Sequence, residues 1–140
     1  MLDKLMNALK KDIMKEIKEE QKKILGLVEL VKLGGNGRWK VTMARVDTGA
    51  EISSMDRKLA RHLKLRPTGK FKTIKSASGI TKRPLLRARI KIRNQEYDTE
   101  VTIADRSKLR YQVLIGQNTL KQGEFLIDPK INIERRKKKR

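Results

Sequence analysis

The chain has 140 residues, of which 36 are Lys or Arg and 16 are Asp or Glu, and its formal net charge is +20. This length fits a single domain, and so strong a positive charge favours anionic partners such as RNA, an acidic protein or an anionic membrane surface. The sequence has no Cys and no apolar window long enough for a signal peptide or a membrane span, which excludes disulfides and Cys-based sites and predicts a soluble, cytoplasmic protein.

Residues 1–24 are predicted to form an amphipathic helix. Their apolar side chains recur at steps of three, four and seven residues and so define one stripe. We expect this stripe to dock on its own domain or on a dimer partner. A membrane-surface role is disfavoured because the polar face carries acidic as well as basic side chains. The stripe consists of Leu2, Leu5, Met6, Leu9, Ile13, Ile17 and Ile24.

Two strands are predicted next, over Leu27–Leu33 and Trp39–Val46. The segment Gly34–Gly37 between them is typical of a hairpin turn, because Gly and Asn tolerate positive φ. It lacks the Gly-Lys-Ser/Thr of a P-loop, so it does not indicate a nucleotide site.

The segment Asp47-Thr48-Gly49-Ala50 follows the second strand directly. Asp supplies an acid, Thr a hydroxyl that can anchor the loop, and Gly lets the backbone approach closely. Aspartic proteases present a catalytic carboxylate in this way. The alternative is an ordinary turn, which Asp favours through local hydrogen bonds.

A short helix or turn is predicted over Arg57–Leu65 and a hairpin over Phe71–Ile74 and Leu85–Ile92. A second hairpin is predicted between Arg87–Arg93 and Glu96–Ile103, with a turn at Asn94 and Gln95. This register sets a basic strand face against an acidic one, which we interpret as structural. The expected facing pairs are Arg93 with Glu96, Lys91 with Asp98, and Arg89 with Glu100.

Downstream, Val113–Leu120 places a short apolar strand before Gly116 and then a polar helix start. This segment resembles the second signature of retroviral-type aspartic proteases, and it follows Asp47-Thr48-Gly49 at a similar spacing of about seventy residues. A closer likeness is to bacterial and archaeal retropepsin-like proteins formerly labelled ATP-dependent zinc proteases and linked to ATP-grasp ligases of the ribosomal-modification type. The likeness covers about residues 24 to 130. Its motifs are Ala44–Ala50, Ser76–Gly79, Arg83-Pro84, Asp105-Arg106, Tyr111–Gly116 and Gly123–Pro129.

The resemblance implies a mainly β fold, a retropepsin-like closed β-barrel with a short C-terminal helix and, in this chain, the added N-terminal helix. The expected division is a helix over 1–24, a retropepsin-like domain over 25–131 and a basic tail over 132–140. Because the chain has one Asp-Thr-Gly, a symmetric site implies a homodimer with one Asp47 from each subunit. Paired carboxylates would activate a water to hydrolyse a peptide bond of a peptide or protein substrate.

By the same resemblance, Asp47, Thr48 and Gly49 form the catalytic loop, with Ala50 and Glu51 beside the substrate. The hairpin tip would close over the substrate, although an ordinary hairpin loop is the open alternative. Gln117 departs from the family, in which an Arg follows the second-signature Gly, and this predicts weaker bracing of the loop or dimer. The tip residues are Ser76, Ser78, Gly79 and Ile80, and the second-signature residues are Leu114, Ile115 and Gly116.

No cofactor is expected. His62 is the single histidine and Cys is absent, so the zinc of the older family label has no suitable ligand set, and we predict no metal. The sequence also shows no ATP site of its own. The resemblance implies an ATP-grasp ligase as a partner.

The alternative function is a non-catalytic, basic RNA- or ribosome-associated protein built on the same barrel. Clusters of Lys and Arg at residues 64–75 and 135–140 could neutralise phosphates. Aromatic residues for base stacking are few and scattered, so binding would be to the backbone. The tail residues are Arg135, Arg136, Lys137, Lys138, Lys139 and Arg140.

Overall fold

The computed structural model describes residues 1–21 and 23–131, and the basic segment 135–140 lies outside them. Strands dominate the described chain, as predicted. The elements in chain order are α1 (Leu2–Gln21), β1 (Ile24–Leu25), β2 (Val28–Gly35), β3 (Arg38–Val46), β4 (Ser53–Asp56), α2 (Arg57–Leu63), β5 (Arg66–Ser76), β6 (Gly79–Ile92), β7 (Gln95–Ala104), β8 (Val113–Ile115), α3 (Gln117–Gln122) and β9 (Leu126–Ile127).

Six of these strands close into a barrel. Neighbouring strands follow the order β2, β3, β8, β4, β7 and β6, and β6 pairs back with β2 to complete the ring. Strand β5 is added alongside β6. Closure pairs the edges that an open sheet would leave free. The predicted closed barrel, N-terminal helix and short C-terminal helix are confirmed.

Aliphatic side chains fill the barrel interior. Along β2, Val31 and Leu33 are buried whereas Leu30 and Lys32 are exposed, the alternation expected of a strand with one face in the core. The core contains no aromatic residue among its fully buried side chains in the described chain. Those side chains include Leu25, Leu33, Met55, Leu63, Ile92 and Ile115.

The predicted β2–β3 hairpin forms around a two-residue turn. Gly35 pairs with Arg38, which leaves Asn36 and Gly37 as the turn residues, with φ of 48° and 78°. A type I′ turn requires positive φ at both positions, and Asn and Gly accept it readily. Strand β3 runs from this turn to Asp47, so the hairpin sets where the Asp47 loop begins.

The β6–β7 hairpin also forms, but its predicted register is wrong. Glu96 lies opposite Lys91, not opposite Arg93, and the turn residues are Arg93 and Asn94. Their φ values of 52° and 70° are those of a type I′ turn, so turn geometry decides the register over charge pairing. Basic residues still face acidic ones, at Lys91 and Glu96, Arg89 and Asp98, and Arg87 and Glu100.

Helix α1 lies outside the barrel. It ends at Gln21, and Ile24 belongs to β1, which pairs in parallel with β9. None of the residues of α1 is buried. Arg93 Nη2 donates a hydrogen bond of 3.2 Å to Gln21 O at the end of the helix. The apolar stripe is therefore not docked on the described part of its own domain.

Candidate active site

Asp47 lies where β3 leaves the barrel. Its backbone N–H donates to Ile115 O of β8 (2.9 Å), and its Oδ1 accepts from the N–H of Gly49 (2.9 Å). Asp47 is half-buried, whereas Thr48 and Gly49 are exposed. A Cβ at Gly49 would lie 3.2 Å from Asp47 Oδ1, so a side chain there would crowd the carboxylate. The local turn foreseen for Asp47 is present, and it presents the carboxyl at the surface.

The second-signature residues Leu114, Ile115 and Gly116 pack against the two ends of the Asp47 loop. Leu114 and Ile115 pair in parallel with the end of β3. At Gly116 a Cβ would lie 2.6 Å from Ile52 C and 2.8 Å from Ser53 N. The φ of Gly116 is −97°, which any residue can adopt, so this position requires glycine for space.

The first residues of α3 donate hydrogen bonds to the Asp47 loop. The N–H of Gln117 donates to Ala50 O (2.7 Å), and that of Asn118 donates to Glu51 O (3.0 Å). These first N–H groups of a helix have no partner within the helix itself. Gln117 Nε2 also donates to Thr48 O (2.8 Å). The neutral Gln at this position therefore still braces the loop.

A buried polar network supports Gly116, and sequence reasoning missed it. Ser53 Oγ accepts from the N–H of Gly116 (2.9 Å) and lies 2.8 Å from Thr119 Oγ1. Thr119 is fully buried, and its hydroxyl lies 2.7 Å from Thr99 Oγ1. Asn118 Oδ1 accepts from Ser53 N–H (2.9 Å). The available signal was the polar run directly after the apolar strand β8.

A second carboxylate that sequence reasoning missed is Asp56, only 2% exposed. Its Oδ1 accepts from the N–H of Arg106 (2.7 Å), and its Oδ2 accepts from the N–H of Lys58 (3.2 Å), which caps α2. Since both oxygens are held by backbone N–H groups, Asp56 is a structural cap rather than a reacting group. An Asp directly before a helix was the available signal.

Arg106 brings positive charge toward both carboxylates. Its Nε donates to Tyr111 O (3.0 Å). Burial lowers the pKa of the Arg106 guanidinium, and Arg83 adds to this, while the negative charges of Asp56 and Asp47 act in the opposite direction. An Arg side chain stays charged nonetheless, so Asp47 lies within the field of a cation.

Strands β5 and β6 form a long hairpin with the predicted tip. Ser76 pairs with Gly79, so Ser78 lies in the two-residue turn, and the φ of Gly79 is 124°. That φ is in the region that favours glycine. Ile80 is 71% exposed. The strands are longer than predicted, which makes the tip the end of a projecting arm.

An ion pair joins this hairpin to the Asp47 loop. Lys72 Nζ on β5 lies 2.7 Å from Glu51 Oε2. The hydrogen bond and charge of Lys72 hold the pKa of the Glu51 carboxyl below its usual value. The pair is solvent-exposed, so its effect on stability is small, but it is a direct contact between the hairpin and the loop.

The described residues, 1–21 and 23–131, contain neither a metal-ligating cluster nor a membrane-spanning helix. No group of three or more His, Cys, Asp or Glu side chains there could hold a metal ion. His62 lies in α2, where its backbone carbonyl accepts from Arg38 Nη1 (3.0 Å). No helix in the same residues is long and apolar enough to cross a bilayer.

Comparison with known families gives a match to the model described as "gag-polyprotein putative aspartyl protease" over residues 31–122. This range contains both the Asp47 loop and the second signature. The chain belongs to this gag-polyprotein protease family. A comparison with curated proteins gives no match.

Two solved structures share the fold of this chain. The Legionella pneumophila protein Lpg0085, of unknown function, is 20% identical, with 78% of this chain and 95% of that chain covered and a TM-score of 0.56. The EIAV protease in complex with the inhibitor HBY-793 is 18% identical, with 72% and 90% covered and a TM-score of 0.53. At these identities the likeness is one of fold.

Proposed function

We propose that this gag-polyprotein protease family member is a homodimeric aspartic endopeptidase of retropepsin type. The observation that carries the proposal is the single Asp47 carboxyl, presented on an exposed loop that β8 and α3 hold by backbone hydrogen bonds. Aspartic proteolysis uses two carboxylates, and the sequence contains one Asp-Thr-Gly. A second copy, related by a twofold axis, would supply the other.

In the proposed dimer the two Asp47 carboxyls share one proton, because like charges at short range cannot both ionise easily. The ionised carboxylate removes a proton from a water between them. The water oxygen attacks the scissile carbonyl carbon while the protonated carboxyl gives its proton to the carbonyl oxygen. When this tetrahedral diol collapses, the C–N bond breaks and the carboxyl that was protonated by the water gives its proton to the amine nitrogen. One hydroxyl of the diol returns its proton to the other carboxylate, so the pair again holds one proton.

The neighbouring residues are assigned supporting roles. Thr48 would contact its counterpart across the axis, and the backbone of Gly49 and Ala50 would meet the substrate. Glu51 is proposed to hold the β5–β6 hairpin through Lys72, so that the hairpin covers the bound peptide. The covering residues are Ser76, Ser78, Gly79 and Ile80.

The test is cleavage of a peptide library by the full chain. We expect cleavage with an acid optimum, and a fall in kcat/KM of about a thousandfold or more in Asp47→Asn, since this removes the acid–base pair. Asp98→Asn is the matched control, because Asp98 is an exposed partner of Arg89. Equal cleavage by Asp47→Asn and wild type would contradict the proposal. So would a strict monomer at micromolar concentration.

A second candidate function, binding of RNA or the ribosome without catalysis, is favoured by one observation. Residues 57–95 contain 14 Lys or Arg and no Asp or Glu. The β5–β6 register sets Lys72 opposite Arg83 and Arg66 opposite Arg87, and like charges at facing positions repel. A polyanion would relieve that repulsion.

RNA binding has a different experimental signature. Its affinity should fall steeply with salt, and Arg83→Gln should reduce the salt slope by about 1 if this side chain contacts a phosphate. Removal of residues 135–140 would test the tail in the same way. Asp47→Asn should leave RNA binding unchanged. Binding that does not depend on salt would exclude this function.

A further inference from the structure

Helix α1 presents an apolar stripe that the described chain does not cover. Its 20 residues span about 30 Å, and Leu2, Leu9 and Ile13 are 77%, 56% and 54% exposed. Helices in proteins gain most of their stability by packing the apolar face of an amphipathic helix against a partner. The stripe therefore indicates a packing partner outside its own barrel. Its members within α1 are Leu2, Leu5, Met6, Leu9, Ile13 and Ile17.

The charges of α1 identify the kind of partner. Residues 1–21 contain five Lys and five Asp or Glu, in a chain whose net charge is +20. The signs are separated along the helix, with three Lys and one Asp in residues 1–11 but two Lys and four Asp or Glu in residues 12–21. Each copy of α1 is thus basic in its first half and acidic in its second.

A second α1 is complementary to this pattern when it runs in the opposite direction. The basic half of each helix then lies beside the acidic half of the other. Packed helices lie about 8–10 Å apart, which is close to the Debye length at physiological salt, so this attraction is only partly screened. Opposite helix dipoles add to it. A twofold axis perpendicular to the helices produces this arrangement.

We propose that α1 pairs with α1 of a second copy of this chain, antiparallel and stripe against stripe. The helix pair would strengthen the homodimer that the active site requires, and to that extent the inference rests on the proposed function. The stripe residues recur at steps of three and four, close to the 3.6-residue period of a straight helix. Two short, straight helices can therefore pack along their whole length.

Other occupants fit the pattern less well. An anionic membrane or a nucleic acid would attract residues 1–11 but repel the acidic residues 12–21. The barrel of the same chain is basic, and it leaves every residue of α1 unburied. A second α1 would bury the apolar stripe and place an opposite charge beside each charged half.

The first test measures the dimer dissociation constant of the full chain by sedimentation, in the Asp47→Asn background so that cleavage plays no part. Leu9→Glu places a charge in the stripe, and we expect it to raise the dissociation constant at least about thirtyfold. Ala8→Glu makes the same change in charge about 100° around the helix, off the stripe, and should raise it less than about threefold. Equal dissociation constants for the two variants would overturn the inference.

The second test reports the orientation of the two helices. The native chain has no Cys, so an introduced thiol is unique. When Leu2→Cys and Ile17→Cys chains are mixed and oxidised, antiparallel pairing predicts the mixed disulfide between positions 2 and 17. Peptide mapping identifies the linked positions. Predominant links between identical positions would contradict antiparallel pairing.

These readouts separate the inference from the proposed function. If the stripe variant weakens dimerisation but wild type cleaves no peptide, the helix pair stands and the protease proposal fails. If wild type cleaves but Leu9→Glu dimerises normally, the helix pair fails alone. If Leu9→Glu impairs binding to anionic phosphatidylserine vesicles and leaves dimerisation intact, the stripe is a membrane surface and the inference is wrong.

Discussion

Gly116 passes so close to Ile52 that a Cβ on Gly116 would lie 2.6 Å from the Ile52 carbonyl carbon. Because the obstacle is backbone, it cannot rotate away. We predict that Gly116→Ala lowers the free energy of unfolding by about 2–3 kcal/mol. It should also reduce the proposed cleavage activity, since the next residue, Gln117, braces Thr48 and Ala50. Urea denaturation measures the first effect and a peptide assay the second.

Gly69→Ala is the control for this prediction. Gly69 has a φ of 86° but nothing within 4 Å of its ideal Cβ, so the cost is backbone strain alone, about 1 kcal/mol. We expect Gly69→Ala to be less destabilising than Gly116→Ala. The reverse order would contradict the packing argument.

Replacing Asp with Ala should affect stability differently at Asp47 and at Asp56. Asp56→Ala removes the cap of α2 and leaves the partly buried N–H of Arg106 without its acceptor, so we predict a loss of about 2 kcal/mol in the free energy of unfolding. Asp47→Ala should change stability by less than about 1 kcal/mol, because the residue is only half-buried.

The two variants should separate again in catalysis. Asp47→Ala should abolish peptide cleavage while the protein stays folded by circular dichroism. Asp56→Ala should lose activity only in proportion to the fraction unfolded. A fully folded Asp56→Ala protein without activity would mean that Asp56 has a chemical role.

The first hairpin, the Asp47 loop and the strand before Gly116 were predictable because each has a local signal, whereas the closed barrel was implied by the family resemblance. Apolar residues lead into Asp47, a glycine follows the apolar pair of β8, and Asn36-Gly37 marks the first hairpin. The β6–β7 register was not predicted, because the charge pattern allows two registers that both oppose unlike charges. The φ values of Arg93 and Asn94 choose between them.

The supporting polar groups were hidden from sequence reasoning for a different reason. Ser53, Thr99 and Thr119 are far apart in sequence and meet only when β4, β7 and α3 come together. Gln117 was expected to brace the loop less well because it lacks the positive charge of the Arg that the family carries at this position. Its amide nevertheless reaches Thr48 O, a backbone contact that residue type alone cannot reveal.

The Glu51–Lys72 pair predicts a pH dependence at the hairpin. Lys72 lowers the pKa of the Glu51 carboxyl from its ordinary 4.5. A depressed folded-state pKa means that the ion pair contributes fully above pH 4.5 and is lost as the pH falls through the lowered value. We therefore expect Glu51 to titrate below pH 4.5 by carbon-detected NMR, and its midpoint to rise toward 4.5 in Lys72→Met. An unchanged midpoint would show that the contact does not persist in solution.

Thr119 tests the buried network beneath the proposed active site. Thr119→Val keeps the shape of the side chain but removes the hydroxyl that lies 2.8 Å from Ser53 Oγ and 2.7 Å from Thr99 Oγ1. We predict a loss of about 1–2 kcal/mol in the free energy of unfolding, because two buried hydroxyls lose a partner. Thr73→Val, on the exposed β5–β6 hairpin, should be nearly neutral. Equal effects of the two substitutions would mean that the network does not stabilise the fold. A larger effect of Thr119→Val would support the view that Ser53, and through it Gly116, is held in place by this hydroxyl chain.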